Sequence, residues 1–341
     1  MSFPKTIQAI AINKNGEVDV INKEAVPFPE HVPGNVIVKV NYGGVNFIDT
    51  YFRKGLYPAK SFPLTLGQEA SGTIAALPTD EKVLNDKQYK KRGLKVGDRV
   101  AIFTSAAHAE YASVPWVKVF AVPNNVSLIT AGAALLQGLT ALTFITESYD
   151  VKKGDYVFVH TVAGGLGLLF AQLAKHRGAI VIGTTSTQEK ADIAKQHGAD
   201  HVILYPVENT VDRVLEITKE RACMSSTMGL GRIRRFKFIR RKGTIVCVGN
   251  ASGAVPPFPP LKLVEKNLKL LRPSAINYIV TPEESLQYGT ELFQLIASGV
   301  AKINIYKEYP FTTEGAREAQ TDLAQRGGKT FGKLIIKIAD E

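Results

Sequence analysis

Apolar and polar positions follow two rhythms along this chain, and the change falls near residue 126. Before it, short runs alternate residue by residue. Asn35-Val36-Ile37-Val38-Lys39-Val40 reads as one strand, and the Gly97-Asp98 turn leads into another over Arg99-Val100-Ala101-Ile102. Gly and Pro punctuate the stretches between, so this part is predicted to be a compact, mostly β domain. The polar, charged stretch from Lys82 to Arg92 is expected to be a surface loop or insertion.

After residue 126, apolar strands alternate with helical periods. Tyr156 to His160 is a short strand, and Leu166 to His176 has helical spacing with Leu169 and Leu173 on one face. Gly178 to Thr184 is a second strand, Gln188 to His197 a helix, and His201 to Leu204 a third strand. Thr244 to Val248 forms a later strand, followed by the rigid connector Pro256-Pro257-Phe258-Pro259-Pro260. Repeated strand–helix–strand units imply a parallel sheet with helices on both faces.

Composition narrows the class. At 341 residues the chain is expected to hold two domains. Its 45% apolar and 21% charged content fits a full globular core. It contains no run of 18 apolar residues, so no transmembrane helix is expected. The opening Met1-Ser2-Phe3-Pro4-Lys5 lacks the apolar core of a signal peptide, which makes the cytoplasm the expected address. Two cysteines, Cys223 and Cys247, are too few for a disulfide framework or a four-cysteine metal site. The net charge of +11 is concentrated: Lys219 to Lys242 holds nine basic residues and one acid.

The strand at 156–160 runs into Thr161-Val162-Ala163-Gly164-Gly165-Leu166-Gly167 and then a helix. A dinucleotide site needs this context. Glycines permit the tight turn and the close approach of backbone to a pyrophosphate, and the helix N-terminus offers unpaired N–H groups. NAD sites usually place Asp or Glu at the end of the next strand, to bond a ribose hydroxyl. Here that end reads Thr184-Thr185-Ser186-Thr187-Gln188-Glu189-Lys190, without a carboxylate on the strand. Ser186 and Lys190 suit a 2′-phosphate, which favours NADPH. The same residues also read as a Ser/Thr-capped helix with Glu189 in its first turn, and both readings can hold together.

Metal catalysis is not expected. No cysteine precedes residue 223, and the six histidines do not cluster with acids at ligand spacing. His108, two residues before Glu110, comes nearest and is expected to lie at the surface.

Several motifs together resemble one family along nearly the whole chain. They are Gly44-Val45-Asn46-Phe47-Ile48-Asp49-Thr50-Tyr51, Gly55-Leu56-Tyr57-Pro58, Leu66-Gly67-Gln68-Glu69-Ala70-Ser71-Gly72, Gln137-Gly138-Leu139-Thr140-Ala141 and Gly164-Gly165-Leu166-Gly167 with Gln172 and Lys175. Later ones are Arg241-Lys242-Gly243-Thr244, Gly249-Asn250-Ala251-Ser252-Gly253, Arg272-Pro273 and Gly332-Lys333-Leu334. The chain thereby resembles the zeta-crystallin-like quinone oxidoreductases of the medium-chain dehydrogenase/reductase superfamily, fungal members above all. Zinc-dependent relatives carry Gly-His-Glu where this chain has Gly67-Gln68-Glu69, in keeping with the missing metal ligands.

The resemblance implies an α/β fold. A GroES-like, β-rich catalytic domain would take residues 1–125 and 275–341, and a Rossmann doubly wound parallel sheet residues 126–274. It implies NADPH as the cofactor, a quinone or an activated enone as the acceptor, and a homodimer. Asn46 matches a residue near the nicotinamide, and Asp49, Tyr51 and Tyr57 match residues of the acceptor cleft. Gln137, Thr140, Ala163, Gly164, Gly165, Leu166, Gly167, Ser186, Val248 and Asn250 are implied to contact the cofactor. Lys190 and Tyr205 match the residues that hold its 2′-phosphate, and Arg326 joins them near the C-terminus. Val162 and Phe158 depart from the family, being larger than the residues it prefers. The nicotinamide would carry the hydride chemistry, with Asn46 and the tyrosine hydroxyls bonding the acceptor oxygen as charge develops.

One segment breaks the pattern. A Rossmann sheet needs another apolar strand between Thr218 and Arg240, where relatives resemble Gly-Lys-Gly-Val-x-Val-Val-Tyr-Asp-x-Val-Gly-Lys-Asp-Thr. This chain has Ala222-Cys223-Met224-Ser225-Ser226-Thr227-Met228-Gly229-Leu230-Gly231-Arg232-Ile233-Arg234, without strand periodicity. Allowed codons for Ser225 to Arg234, regrouped from the last base of Met224, spell Val-Val-Tyr-Asp-Gly-Val-Gly-Lys-Asp-Thr. We therefore hypothesise that residues 219–235 are translated out of frame; an in-frame gene encoding the stretch as printed would refute this. Read as printed, the segment is expected to replace a central strand with a basic loop, at a cost on the order of 2 kcal/mol per missing large side chain. The basic stretch Arg232 to Lys242, with the single-stranded RNA association that the resemblance implies, raises a reading of another class, single-stranded RNA binding, for which Phe236 and Phe238 are the only stacking aromatics in that stretch.

Overall fold

The computed structural model of the chain describes residues 3–219, 224–228, 238–250, 257–325 and 331–341, with backbone alone for 224–228. The described residues form two compact units, one of Thr140–Tyr278 with Gly299–Lys302, the other of Met1–Leu139, Ile279–Ser298 and Ile303–Glu341.

In the first of these, apolar runs make strands β1 (Tyr156–Val159), β2 (Ile180–Thr185), β3 (His201–Leu204), β4 (Met224–Met228), β5 (Thr244–Val248) and β6 (Lys269–Leu271). Helices α1 (Gly165–His176), α2 (Gln188–Gln196) and α3 (Thr210–Thr218) connect the early ones. The strands pair in the order β3-β2-β1-β4-β5-β6, every neighbour parallel. This is the doubly wound order, in which the direction of winding reverses between β1 and β4. Phe158, Ile182, Ile203, Val211, Val214, Ile245 and Cys247 share one core cluster, as the near-continuous apolar runs require.

Part of the segment expected to be a basic loop is a strand instead. Met224–Met228 forms a strand at the centre of the sheet, with Ser225 opposite both Phe158 of β1 and Ile245 of β5. Two flanking parallel strands offer their free backbone groups to this stretch, and that pairing overrides its polar sequence. The out-of-frame reading otherwise concerns residues outside those described.

The second unit holds a seven-stranded sheet and a three-stranded one. Its long strand Asn35–Val45 pairs antiparallel with Glu69–Ala76 and with the C-terminal strand Lys333–Lys337. Leu334 lies opposite Val45, and Glu69 opposite Gly44. Residues from three distant parts of the chain therefore converge where Asn35–Val45 ends. The stretch 82–92 is not a loop. It forms short helices at Glu81–Asn85 and Lys87–Arg92, capped by Asp80 and Asp86, with Tyr89 buried edge-on to Trp116 at 5.5 Å.

Candidate functional site

In the doubly wound unit, the turn after β1 is built for close approach. Thr161 adopts a left-handed φ of 49°, and Gly164 sits extended just before α1, with no side chain capping the helix. The first N–H groups of α1 are thus left for a ligand or water. A Cβ on Gly167 would stand 2.5 Å from the Thr161 carbonyl oxygen and 2.8 Å from the Val162 Cα, so only glycine lets the helix start against the turn. The Val162 N–H donates to the Thr184 carbonyl at 3.0 Å, which ties the turn to β2. The oversized Val162 fits because Gly183 has no side chain beneath it. Phe158 is fully buried, its ring 4.9 Å from that of Phe238.

Ala163 to Gly167, Ser186, Tyr205, Val248 and Asn250 lie at or just beyond the carboxyl ends of β1, β2, β3 and β5. Ala163 is buried, and Gly164, Gly165 and Leu166 are partly exposed at the helix start. At the end of β2, Thr187 caps α2 by accepting from the Lys190 N–H at 3.3 Å, so the capping reading of this stretch holds. Ser186 and Lys190 are partly exposed there. Tyr205, one residue beyond β3, is 37% exposed, and its N–H donates to the Thr185 carbonyl at 3.2 Å. Val248 ends β5, and Asn250 follows the left-handed Gly249. Arg272 clamps that corner, donating to the carbonyls of Cys247 at 3.0 Å and Gly249 at 3.1 Å and to Asn250 Oδ1 at 3.1 Å. Thr140 is half-buried on the helix Leu135–Thr143. Arg326 lies outside the described residues.

In the other unit, Asn46 precedes the helix Phe47–Arg53 and anchors a buried polar network. Lys333 Nζ donates to Asn46 Oδ1 and to Glu69 Oε1, both at 2.5 Å. Asn46 Nδ2 donates to Glu69 Oε1 at 2.9 Å and to the Gly44 carbonyl at 3.1 Å. The second Glu69 oxygen accepts from the Leu136 N–H at 2.8 Å. Gln137 is buried, its Nε2 donating to the Ala133 carbonyl at 2.9 Å.

Asp49, expected to line an acceptor cleft, has no exposed surface. Its carboxylate accepts from the Asn46 N–H at 2.8 Å and the Gly67 N–H at 3.2 Å, so its contacts are with the helix start and the Gly67 turn. Desolvation holds its carboxyl above the ordinary aspartate range, against the pull of His108 and Lys333. Tyr51 and Tyr57 meet edge to face at 5.4 Å, Tyr51 buried and Tyr57 half-buried. His108 is not a surface residue. It is 1% exposed, packed under Gly43 and Gly67, with Nε2 3.0 Å from the Gly44 carbonyl.

Sequence reasoning quoted Glu69 and Lys333 without a role. The available signal was a lysine heading the apolar run Leu334-Ile335-Ile336, since a charge entering a buried strand implies a buried partner. Phe238, proposed for base stacking, is buried in the sheet's core cluster and offers no exposed ring. Among the described residues, no three His, Cys, Asp or Glu side chains stand together to hold a metal ion, and no helix is long and apolar enough to cross a membrane.

Two family models match: the alcohol dehydrogenase GroES-like domain over residues 32–124 and the zinc-binding dehydrogenase domain over 165–288. The chain is 36% identical to the "Probable quinone oxidoreductase" of Schizosaccharomyces pombe, over 96% of each chain. It is 35% identical to quinone oxidoreductase 1 of Escherichia coli, over 96% of this chain and 98% of that one. The crystal structure of the Escherichia coli quinone oxidoreductase complexed with NADPH superposes with a TM-score of 0.85 at 34% identity, over 97% of this chain and 99% of that one. The fungal and bacterial relatives match almost equally, so the similarity does not single out a fungal subtype.

Proposed function

We infer that this chain, which belongs to the quinone oxidoreductase family of the medium-chain dehydrogenase/reductases, is an enzyme that reduces quinones with NADPH. The observation that carries this reading is the uncapped start of α1 at Gly164–Gly165, set at the carboxyl edge of a sheet of order β3-β2-β1-β4-β5-β6. That edge fits a dinucleotide. Its helix end has free N–H groups, Gly167 admits no Cβ, and β2 ends without a carboxylate that would repel a 2′-phosphate.

In this reading Ala163, Gly164, Gly165, Leu166 and Gly167 hold the pyrophosphate through backbone, while Ser186, Lys190 and Tyr205 hold the 2′-phosphate. Val248 and Asn250, braced by Arg272, bound the nicotinamide side, and Thr140 of the same unit belongs with them. Bound NADPH supplies the reducing equivalents; the protein's part is to orient and to exclude water. Tyr51 and Tyr57, stacked edge to face, present rigid aromatic surface and hydroxyls toward a flat acceptor. Asp49 acts at one remove, by fixing the helix start that carries Asn46.

No metal takes part in this scheme, since Gln68 stands where zinc-dependent relatives have histidine and no cysteine precedes residue 223. The protein is read as a cytoplasmic homodimer. Supporting the dimer, β6 is the edge of its sheet, and Leu261 and Val264 just before it are 78% and 63% exposed.

A panel of quinones against enones and alkenals, with NADPH and then NADH, tests the assignment. Turnover of quinones with NADPH supports it. Turnover confined to enones or alkenals would make the chain an alkene reductase that uses the same cofactor, and turnover of neither would overturn it.

A further inference from the structure

Among the described residues, the bulkiest side chain with almost no exposed surface is a charged one, Arg53 at 1%. It ends the seven-residue helix Phe47–Arg53, which also carries Tyr51. Its guanidinium is committed inward. Nε donates to Gln320 Oε1 at 2.7 Å, and Nη1 donates to the Gly16 carbonyl at 2.9 Å. Gln320 is itself 3% exposed, on the helix Thr313–Ala324. The loop returns the bond: the Gly16 N–H donates to the Arg53 carbonyl at 3.0 Å. Glu17, 3.6 Å from Nη1, is 72% exposed, so the ion pair adds less than the buried hydrogen bonds do.

Asp49 and Arg53 stand four residues apart and share one face of their helix. Both are buried in the same unit, Asp49 tied to the Gly67 N–H and Arg53 to Gly16 and Gln320. So short a helix does not hold itself in water, and its placement comes from these two ties. Tyr51, two residues from each, turns away from that face. Tyr57 follows the same helix. Its N–H donates to the Tyr51 carbonyl at 3.2 Å, and its ring meets those of Tyr51 at 5.4 Å and Phe52 at 5.6 Å.

Resting on the quinone reductase reading, we propose that Arg53 is a positioning residue for the quinone: held by Gln320 and Gly16, it sets the tilt of its helix and so the placing of the Tyr51–Tyr57 pair. At 1% exposure it has no surface for the acceptor and acts through the tyrosines. The role suits arginine, whose planar fork meets Gln320 and Gly16 from one rigid group; a lysine ammonium at the end of a flexible stem does not.

The test compares wild type with Arg53→Met, Arg53→Lys, Gln320→Leu and Gln320→Glu. Tyr309→Phe is the control: it removes the hydrogen bond from Tyr309 to Asp322 of the same helix Thr313–Ala324 and leaves Gln320 in place. NADPH affinity is measured by calorimetry without an acceptor, then kcat and the quinone KM at saturating NADPH, and urea unfolding ranks stability. Arg53→Met strips partners from Gln320 and Gly16 and is the variant most prone to misfold; Gln320→Leu, which leaves the Gly16 bond, carries the test if it does. Arg53→Met is expected to raise the quinone KM about tenfold and Gln320→Leu about threefold, the scale on which a misplaced binding group costs. NADPH affinity should stay within about twofold in both, because the variants touch only the acceptor side. Gln320→Glu keeps an acceptor on Nε and should stay near wild type, while Arg53→Lys should recover only part of the loss. Tyr309→Phe should lose stability without moving the quinone KM. In a Tyr51→Phe, Tyr57→Phe background, Gln320→Leu should raise KM by less than about twofold further, since its effect runs through those rings. Folded Arg53 and Gln320 variants with an unchanged quinone KM overturn the proposal. So do KM changes that follow stability alone, Tyr309→Phe included, or that add in full to those of the tyrosine variants. A wild-type protein that binds NADPH but reduces no quinone overturns the functional reading instead.

Discussion

Val162 fills the space that Gly183 leaves empty: a Cβ on Gly183 would stand 2.3 Å from the Val162 Cγ1. The pair joins the glycine turn after β1 to the neighbouring strand, both residues deep in the sheet unit. Gly183→Ala is therefore expected to destabilise the protein by about 1–3 kcal/mol through overpacking. Val162→Ala in the same chain should return most of that loss. Urea unfolding of the two single variants and the double gives the coupling, and additive effects would contradict the packing account.

Lys190 and Tyr205 flank the end of β2 where no carboxylate stands, Tyr205 through its backbone bond to Thr185. Lys190→Ala should weaken NADPH binding by about tenfold to a hundredfold, as expected for one charge-assisted bond, and leave NADH binding nearly unchanged. Equal losses for the two cofactors would place Lys190 away from the 2′-phosphate.

Burial holds the Asp49 carboxyl above its ordinary value. The native state thus keeps this proton over a span of pH in which the unfolded chain has already released it. Stability is fully present below the unfolded-state value and falls as pH rises through the raised one. Asp49→Asn should remove that downward slope, although the variant is less stable overall because an amide meets the Asn46 or Gly67 N–H with a donor. Urea unfolding of both proteins across acid to neutral pH measures the difference in slope; parallel curves would contradict it.

Much of the fold was legible because its signals are local. The strands at 156–160 and 178–184, the helix between them and the glycine turn follow from periodicity and turn chemistry alone. Burial was less legible. His108 and Asp49 have polar side chains in unremarkable stretches, and only the folding of Gly43, Gly44 and Gly67 around them puts them inside. Lys333 and Glu69 lie 264 positions apart, so no local pattern could pair them. The strand Met224–Met228 stayed hidden for the opposite reason: its local sequence argues against what its two neighbours impose.

That strand makes its own prediction. A central parallel strand is normally apolar on both faces, and Ser225 and Ser226 are not. Ser225→Val with Ser226→Val should raise stability by about 1 kcal/mol or more, since β-branched residues suit a strand paired on both sides. These are also the residues that the regrouped reading frame supplies. A rise in melting temperature supports the central placement, and a fall contradicts it.

Calorimetric titration of the purified protein with NADPH, then with NADH, tests the central claim most directly. The account predicts saturable NADPH binding at one site per chain, at least about tenfold tighter than NADH, because the 2′-phosphate adds charge-assisted bonds. Equal binding of both would contradict the assignment of Ser186, Lys190 and Tyr205, and binding of neither would contradict the dinucleotide site itself.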